Sequence, residues 1–244
     1  MSILSLKNFH KHFNGTRAVN GVSFEIEKGK ITGLIGPNGS GKSTLINLLT
    51  GVVSKDKGAV VISDSVEVEK IRPYDMKIFG ITRTFQDVQV FEQMTVRDNL
   101  LLTLTKRTVW GSLFEKHSDI YEDRADDILK LIGLYEKKNE LAENLSYGQR
   151  KLLEIGRAIS MDVDVILFDE PYAGLFPEMV KQVSKILKDL RKQDKAILLV
   201  EHNMNLIREL CDHLVVMDSG KVLIEGKPKI VLEKRDVIDA YLGE

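Results

Sequence analysis

The run Gly36-Pro37-Asn38-Gly39-Ser40-Gly41-Lys42-Ser43-Thr44 sets glycines, a lysine and hydroxyls in the order needed to hold a phosphate chain. It fits G-x-x-x-x-G-K-[ST], with Gly36 opening the pattern and Gly41-Lys42-Ser43 closing it. Gly36, Gly39 and Gly41 give the backbone conformations closed to residues with a Cβ, so several N–H groups can point inward at phosphate oxygens. Lys42 supplies a point charge for the β- and γ-phosphates, and the Ser43 hydroxyl is a Mg²⁺ ligand. Residues Gly36 to Thr44 are therefore the expected binding segment for a nucleoside triphosphate.

Such a loop needs a strand to deliver it and a helix to close it. Lys30-Ile-Thr-Gly-Leu-Ile-Gly36 reads as a buried strand, and Thr44-Leu-Ile-Asn-Leu-Leu-Thr50 as a short apolar helix closed by Gly51. The helix adds its positive N-terminal dipole to the phosphate site. A second strand, Val165-Ile-Leu-Phe-Asp169-Glu170, ends in two carboxylates. At its C-terminal edge Asp169 can bind Mg²⁺ directly or through water, and Glu170 can accept a proton from water attacking the γ-phosphate. Leu145-Ser-Tyr-Gly-Gln149 precedes an amphipathic helix, and its S-x-x-Q spacing fits a capping box. That terminus is either an ordinary cap or a second phosphate site. The five residues alone leave both readings open.

Val22, Phe24 and Ile26 alternate with Ser23, Glu25 and Glu27, the period of a half-buried antiparallel strand. Further strands are expected at Ile3–Phe9, Ala59–Ser63 and Phe79–Phe85. The runs Val163–Asp169 and Ala196–Glu201 are almost continuously apolar, as in a parallel sheet covered on both faces. Between residues 87 and 160 the texture becomes helical, at Tyr121–Ile132 and Gln149–Ser160, which marks a helical subdomain inserted into an α/β core. Pro177–Lys192 is another amphipathic helix, with Pro at its first position and Lys181, Lys185, Lys188 and Lys192 as a solvated stripe.

With 244 residues the chain can bury a substantial core, and 43% hydrophobic and 29% charged residues are ordinary for a soluble globular protein. A net charge of −1 gives no electrostatic case for nucleic acid. The single Cys211 allows no intramolecular disulfide and reads as core filler in a reducing compartment. No apolar run approaches the roughly 18 residues of a membrane span. Met-Ser-Ile-Leu-Ser-Leu-Lys-Asn lacks the basic and apolar regions of a secretory leader, so the expectation is a cytoplasmic protein that reaches a membrane only through a partner.

The phosphate loop, Gln86 in Thr82-Arg-Thr-Phe-Gln86, Leu145–Gln149, Asp169-Glu170 and His202 in Glu201-His-Asn-Met204 follow one another in a particular order. That order and its spacing resemble those of the ATP-binding cassette (ABC) ATPases along essentially the whole chain. The resemblance implies an α/β P-loop NTPase, one nucleotide-binding domain over residues 1–244. It would have a mainly parallel core sheet, an antiparallel β subdomain and a helical subdomain at approximately 87–160. It implies ATP and Mg²⁺ as cofactors, and roles for further residues. Phe13 resembles the aromatic that stacks on adenine. Gln86 resembles the residue that approaches the metal and the attacking water. His202 resembles the histidine that contacts the γ-phosphate and orients Glu170. Ser146, Gly148 and Gln149 resemble the signature that faces the nucleotide of another subunit. Two cassettes would then sandwich two ATP molecules, and closing and opening of that dimer would drive a partner.

The stretch Gly80 to Leu100, the Tyr in Ser-Tyr-Gly-Gln, Ala173-Gly174-Leu175 and the tail Val237-Ile-Asp-Ala-Tyr-Leu-Gly-Glu244 resemble the ATPases of branched-chain amino-acid importers. Lipopolysaccharide-export ATPases share a similar ending, and a soluble non-transport ABC ATPase is a further alternative. Importer membership implies a second ABC ATPase subunit, identical or not, at the cytoplasmic face of a membrane. It also implies membrane permease subunits and an external solute-binding protein. Val88, Val90, Phe91 and Met94, among residues 87–100, are expected to form a groove for a permease helix. Phe176 departs from the Asp or Asn usual after Ala-Gly-Leu, in the loop that couples the subunits. Tyr172 is bulkier than the small residue expected there.

Overall fold

The computed structural model describes residues 1–63, 66–104 and 118–242. Gly243 and Glu244 of the importer-like tail, and part of the span 87–160, lie outside the described residues. The chain divides into two compact units, one of Met1–Arg83, Val163–Glu170 and Leu187–Glu244, the other of Thr84–Asp162 and Pro171–Ile186.

The first unit holds both sheets. Strands β1 (Ser2–Phe13) and β2 (Thr16–Glu27) form a hairpin about Asn14-Gly15, whose φ angles of 43° and 90° suit a two-residue turn. With β4 (Lys57–Ile62) and β5 (Val66–Val68) they make an antiparallel sheet of order β2-β1-β4-β5. The alternation expected in β2 is present: Val22, Phe24 and Ile26 are buried and Ser23 and Glu25 exposed.

The other sheet has the order β10-β9-β3-β8-β7-β6, built from β3 (Ile31–Ile35), β6 (Ile81–Arg83), β7 (Val165–Asp169), β8 (Ala196–Val200), β9 (His213–Asp218) and β10 (Lys221–Gly226). From β9 to β6 every pairing is parallel, and β10 closes one edge antiparallel to β9. Every residue of β3, β7 and β8 is buried, as their largely apolar sequences suggest. Phe9, Ile26, Leu34, Leu45, Leu167, Leu198 and Val215 belong to one core, which draws on both sheets and on α1 (Lys42–Leu49).

Two differences from the sequence reading have simple causes. The strand expected over Phe79–Phe85 is paired only at Ile81–Arg83, because Gly80 turns the chain at φ 68° just before it. The hairpin β9–β10 went unread because its apolar stretch is short and follows helix α6 (Met204–Leu210) closely. Ser219-Gly220, at φ 47° and 77°, was the available turn signal.

The second unit is helical. It contains α2 (Val96–Leu104), α3 (Ser118–Leu131), α4 (Tyr147–Ser160) and the first part of α5 (Pro177–Lys192). Thr95 caps α2, its hydroxyl accepting from the Asp98 N–H at 3.0 Å and donating to the Asp98 carboxylate at 2.7 Å. Asp126 of α3 draws in two cations, accepting from Arg97 at 2.7 and 2.9 Å and from Lys138 at 3.0 Å. Tyr172, the bulky departure, is buried, and its hydroxyl lies 3.3 Å from the Ser184 hydroxyl on α5. On the lysine stripe Lys181 and Lys185 are exposed, while Lys188 pairs with Glu209 and Lys192 with Asp189. In the first unit, α7 (Pro228–Val231) and α8 (Arg235–Leu242) finish the fold.

Candidate nucleotide-binding site

In the first unit, parallel strands deliver the chemistry to one sheet edge. Leu34 of β3 pairs with Val200 of β8, and Val200 pairs with Asp169 of β7. One row across the sheet therefore precedes, in adjacent positions, the Gly36 loop, Glu201-His202 and Asp169-Glu170. This is the carboxyl edge at which open α/β sheets bind ligands.

Gly41 is the N-cap of α1 at φ 101°, and a Cβ there would lie 2.3 Å from the Ala18 carbonyl oxygen. At Gly36 (φ 155°) a Cβ would meet the Met217 carbonyl oxygen at 2.1 Å. Only glycine fits either position, so the loop is pressed against β9 and the β1–β2 layer, which hold its shape. Asn38, Gly39 and Ser43 are exposed, Thr44 is half-buried, and Pro37 and Ser40 are buried. The ammonium of Lys42, 7% exposed, sits inside the loop. It donates to the carbonyls of Gly36 at 2.6 Å and Pro37 at 2.9 Å.

Asp169 is buried at the end of β7. Arg83, at the end of β6, reaches its carboxylate at 3.5 Å and also donates to Asn47 at 2.9 Å and Thr50 at 3.1 Å, both from α1 or its end. One guanidinium thus ties the carboxylate to the helix that closes the phosphate loop. Sequence reasoning passed over Arg83; its signal was the one charge in the stretch Phe79–Phe85.

Glu170 adopts φ 48°, a conformation that costs a non-glycine residue roughly 1 kcal/mol or more. Its N–H donates to the Val200 carbonyl at 3.0 Å, and its carboxylate lies 3.0 Å from His202 Nε2. The His202 backbone is held in turn by Glu201, whose Oε1 accepts the N–H groups of His202 at 2.9 Å and Asn203 at 3.1 Å. Burial pushes the Glu201 carboxyl above the usual range, and the neighbouring Glu170 adds to the shift. Its Oε2 is buried with no hydrogen-bond partner among the described residues. Glu201 too was missed, though a carboxylate ending the apolar run Ala196–Val200 marked it. Phe13 closes β1 with its ring 43% exposed, and Lys11 Nζ stands 5.3 Å from the ring centroid. At that exposure Phe13 is not core filler.

The second unit carries Gln86 and the Ser146–Gln149 segment. Gln86 is exposed, and its backbone carbonyl accepts from Lys151 at 3.0 Å. The expected capping box forms: Ser146 Oγ accepts the Gln149 N–H at 3.3 Å, and Gln149 Oε1 accepts the Ser146 N–H at 3.0 Å. Gly148 is buried, 2.7 Å from the Met179 sulfur for any added Cβ, while Ser146 and Tyr147 are exposed at the start of α4. In the groove segment Phe91 is exposed, and Val88, Val90 and Met94 are half-buried.

Comparison with known proteins agrees with this constellation. The family model described as ABC transporter matches residues 19–173. The probable branched-chain amino acid transport ATP-binding protein LivG of Archaeoglobus fulgidus is 36% identical over 249 residues, covering 100% of this chain and 96% of its own. The crystal structure of a nucleotide-free ATP-binding cassette from an ABC transporter has a TM-score of 0.88 at 35% identity, with 100% of both chains covered. The dimeric post-hydrolysis cassette MJ0796, bound to ADP and Pi, has a TM-score of 0.80 at 25% identity, over 93% of this chain and 99% of its own.

Proposed function

The chain belongs to the ABC transporter family and is one of its ATPases, and from that membership we propose that it powers uptake of branched-chain or related amino acids. The observation that carries the reading is the sheet edge where the phosphate loop, Asp169 and the Glu170–His202 pair adjoin.

In this reading ATP stacks its adenine on Phe13, and Gly36–Thr44 wrap the phosphates with backbone N–H groups. Lys42 exchanges its loop carbonyls for β- and γ-phosphate oxygens. The Ser43 hydroxyl and the Asp169 carboxylate are oxygen donors of the kind Mg²⁺ takes up together with substrate phosphates, and the family resemblance would add Gln86. Bound there, Mg²⁺ would neutralise charge on the β- and γ-oxygens. Glu170 takes the proton of the attacking water, and His202, 3.0 Å from that carboxylate and 44% exposed, meets the γ-phosphate in this reading. Ser146, Gly148 and Gln149 start a helix of 14 residues and supply the second nucleotide of a head-to-tail dimer with N–H groups and dipole. The cassette MJ0796, bound to ADP and Pi, is dimeric, which supports a dimer here. Residues near 87–100 receive permease subunits at the cytoplasmic face of the membrane, and an external solute-binding protein completes the system. Among the described residues no helix is long and apolar enough to cross a membrane.

The test is Glu170→Gln. Turnover should fall by roughly 10²–10⁴ while Mg·ATP drives a sedimenting dimer. Turnover within a few-fold of wild type would refute the assignment of Glu170.

A further inference from the structure

Three charged residues of α4, Lys151, Glu154 and Arg157, are spaced three apart and follow one ridge of the helix. All three bond to the backbone of one segment, and Glu154 also feels the charges of Lys151 and Arg157. Lys151 is fully buried and donates to the carbonyls of Phe85 at 3.4 Å and Gln86 at 3.0 Å. Glu154, 4% exposed, accepts the Phe85 N–H at 2.9 Å. Arg157 donates to the Gln89 carbonyl, and its guanidinium lies over the Phe91 ring, 4.9 Å from the centroid. Asn99 of α2, also fully buried, holds the far end, accepting the Phe91 N–H at 2.8 Å and donating to its carbonyl at 3.0 Å.

We propose that the Lys151–Glu154–Arg157 ridge is a clamp that positions Gln86 for ATP hydrolysis, and that these are positioning residues of the ATPase. The proposal rests on the reading of Gln86 as the residue that meets the metal and the attacking water.

A helix face built for stability alone would be apolar here, because buried charges are costly unless each finds a partner. In this fold some partners are not found. Glu154 Oε2 and Arg157 Nε are buried without hydrogen-bond partners among the described residues. Burial raises the Glu154 carboxyl, against the Phe85 N–H and the charges of Lys151 and Arg157, and it lowers the Arg157 guanidinium, against the charge of Glu154. What the fold keeps in exchange is the backbone on both sides of Gln86. Phe85 is held through its N–H and its carbonyl, and Gln86 and Gln89 through their carbonyls, while the Gln86 side chain stays at the surface. The same helix begins at Ser146, so one rigid element carries both the Gln86 backbone and the Ser146–Gln149 terminus.

The test compares full-length wild type, Glu154→Leu, Glu154→Gln, Gln86→Ala and the Glu154→Leu/Gln86→Ala double variant. Amide exchange over residues 85–91, ATP affinity and kcat are measured for each. Loss of the acceptor in Glu154→Leu should speed exchange of the Phe85 amide about tenfold, the loss of one charge-assisted hydrogen bond. It should lower kcat by about tenfold or more and leave ATP affinity within about twofold. Glu154→Gln keeps an acceptor oxygen and should restore both exchange and kcat. In the Gln86→Ala background Glu154→Leu should cause no further loss of kcat. An equal loss in both backgrounds, or a Gln variant as impaired as Leu, overturns the clamp. If Gln86→Ala alone leaves kcat unchanged, the reading of Gln86 fails and the proposal falls with it. Should Glu154→Leu not fold by circular dichroism, Lys151→Met, which removes the donor to the Gln86 carbonyl, carries the same measurements with the same outcomes.

Discussion

Replacing Arg83 by Met probes the joint between the Asp169 carboxylate and the helix that follows the Gly36 loop. Met retains the length and apolar stem of the side chain but none of its donors. The guanidinium serves three acceptors: Asn47 at 2.9 Å, Thr50 at 3.1 Å and Asp169 at 3.5 Å. Arg83 and Asp169 side chains are each 9% exposed, so solvent screens the pair little and cannot replace the lost partner. Breaking a buried pair from one side costs about 3–5 kcal/mol. The 3.5 Å separation is long for a charge-assisted bond, and Thr50 keeps a second bond to the Ile46 carbonyl at 2.9 Å, which places the loss near the lower end, about 3 kcal/mol. For a chain of this size that is a fall of about 6–12 °C in Tm. Urea unfolding of wild type, Arg83→Met and Arg83→Lys measures it, with an unchanged slope required for the difference to be one of stability. Lys reaches one acceptor but cannot fork to three, so it should recover less than half the loss. A Met variant within about 0.5 kcal/mol of wild type would mean that the three contacts contribute nothing net, and the joint would be only a geometric coincidence.

Two further outcomes follow from buried ionisable groups. Glu201 has its carboxyl raised by burial, so the folded state holds its proton more tightly than the unfolded chain and wild-type stability falls as pH rises through that window. Glu201→Gln lacks this loss, so its stability relative to wild type should improve as pH rises above the ordinary carboxylate range, and a flat or falling difference in urea midpoints would contradict the sign. Cys211 is buried and its thiol is pushed up to about 12, chiefly by desolvation. Iodoacetamide at about pH 8 should therefore modify it only as fast as the protein opens, with alkylation accelerating together with unfolding in urea. Rapid labelling of the native protein would show that the site is not closed.

Residue types at fixed spacing made much of the chemistry legible. Gly36–Ser43 announce a phosphate loop because backbone N–H groups can converge on an oxyanion only where glycines allow it, as the contacts at Gly36 and Gly41 show. The largely apolar runs of β3, β7 and β8 announced buried strands, and Ser146 with Gln149 announced the capping box that forms. These signals are local, so they survive in one dimension. Strand order, pairing and long-range hydrogen bonds are not local. Nothing in the chain states that β8 lies between β3 and β7, yet that order sets Glu170 against His202, 32 residues away. Nor does the helical pattern of α4 reveal that Lys151, Glu154 and Arg157 turn inward to backbone some 65 to 69 residues earlier, because a charged residue on a helix is ordinarily read as solvated. Sequence alone determined which groups are present and which nucleotide chemistry they suit. Tertiary structure decided which of them meet, because burial makes a charge seek whatever partner the fold brings within reach.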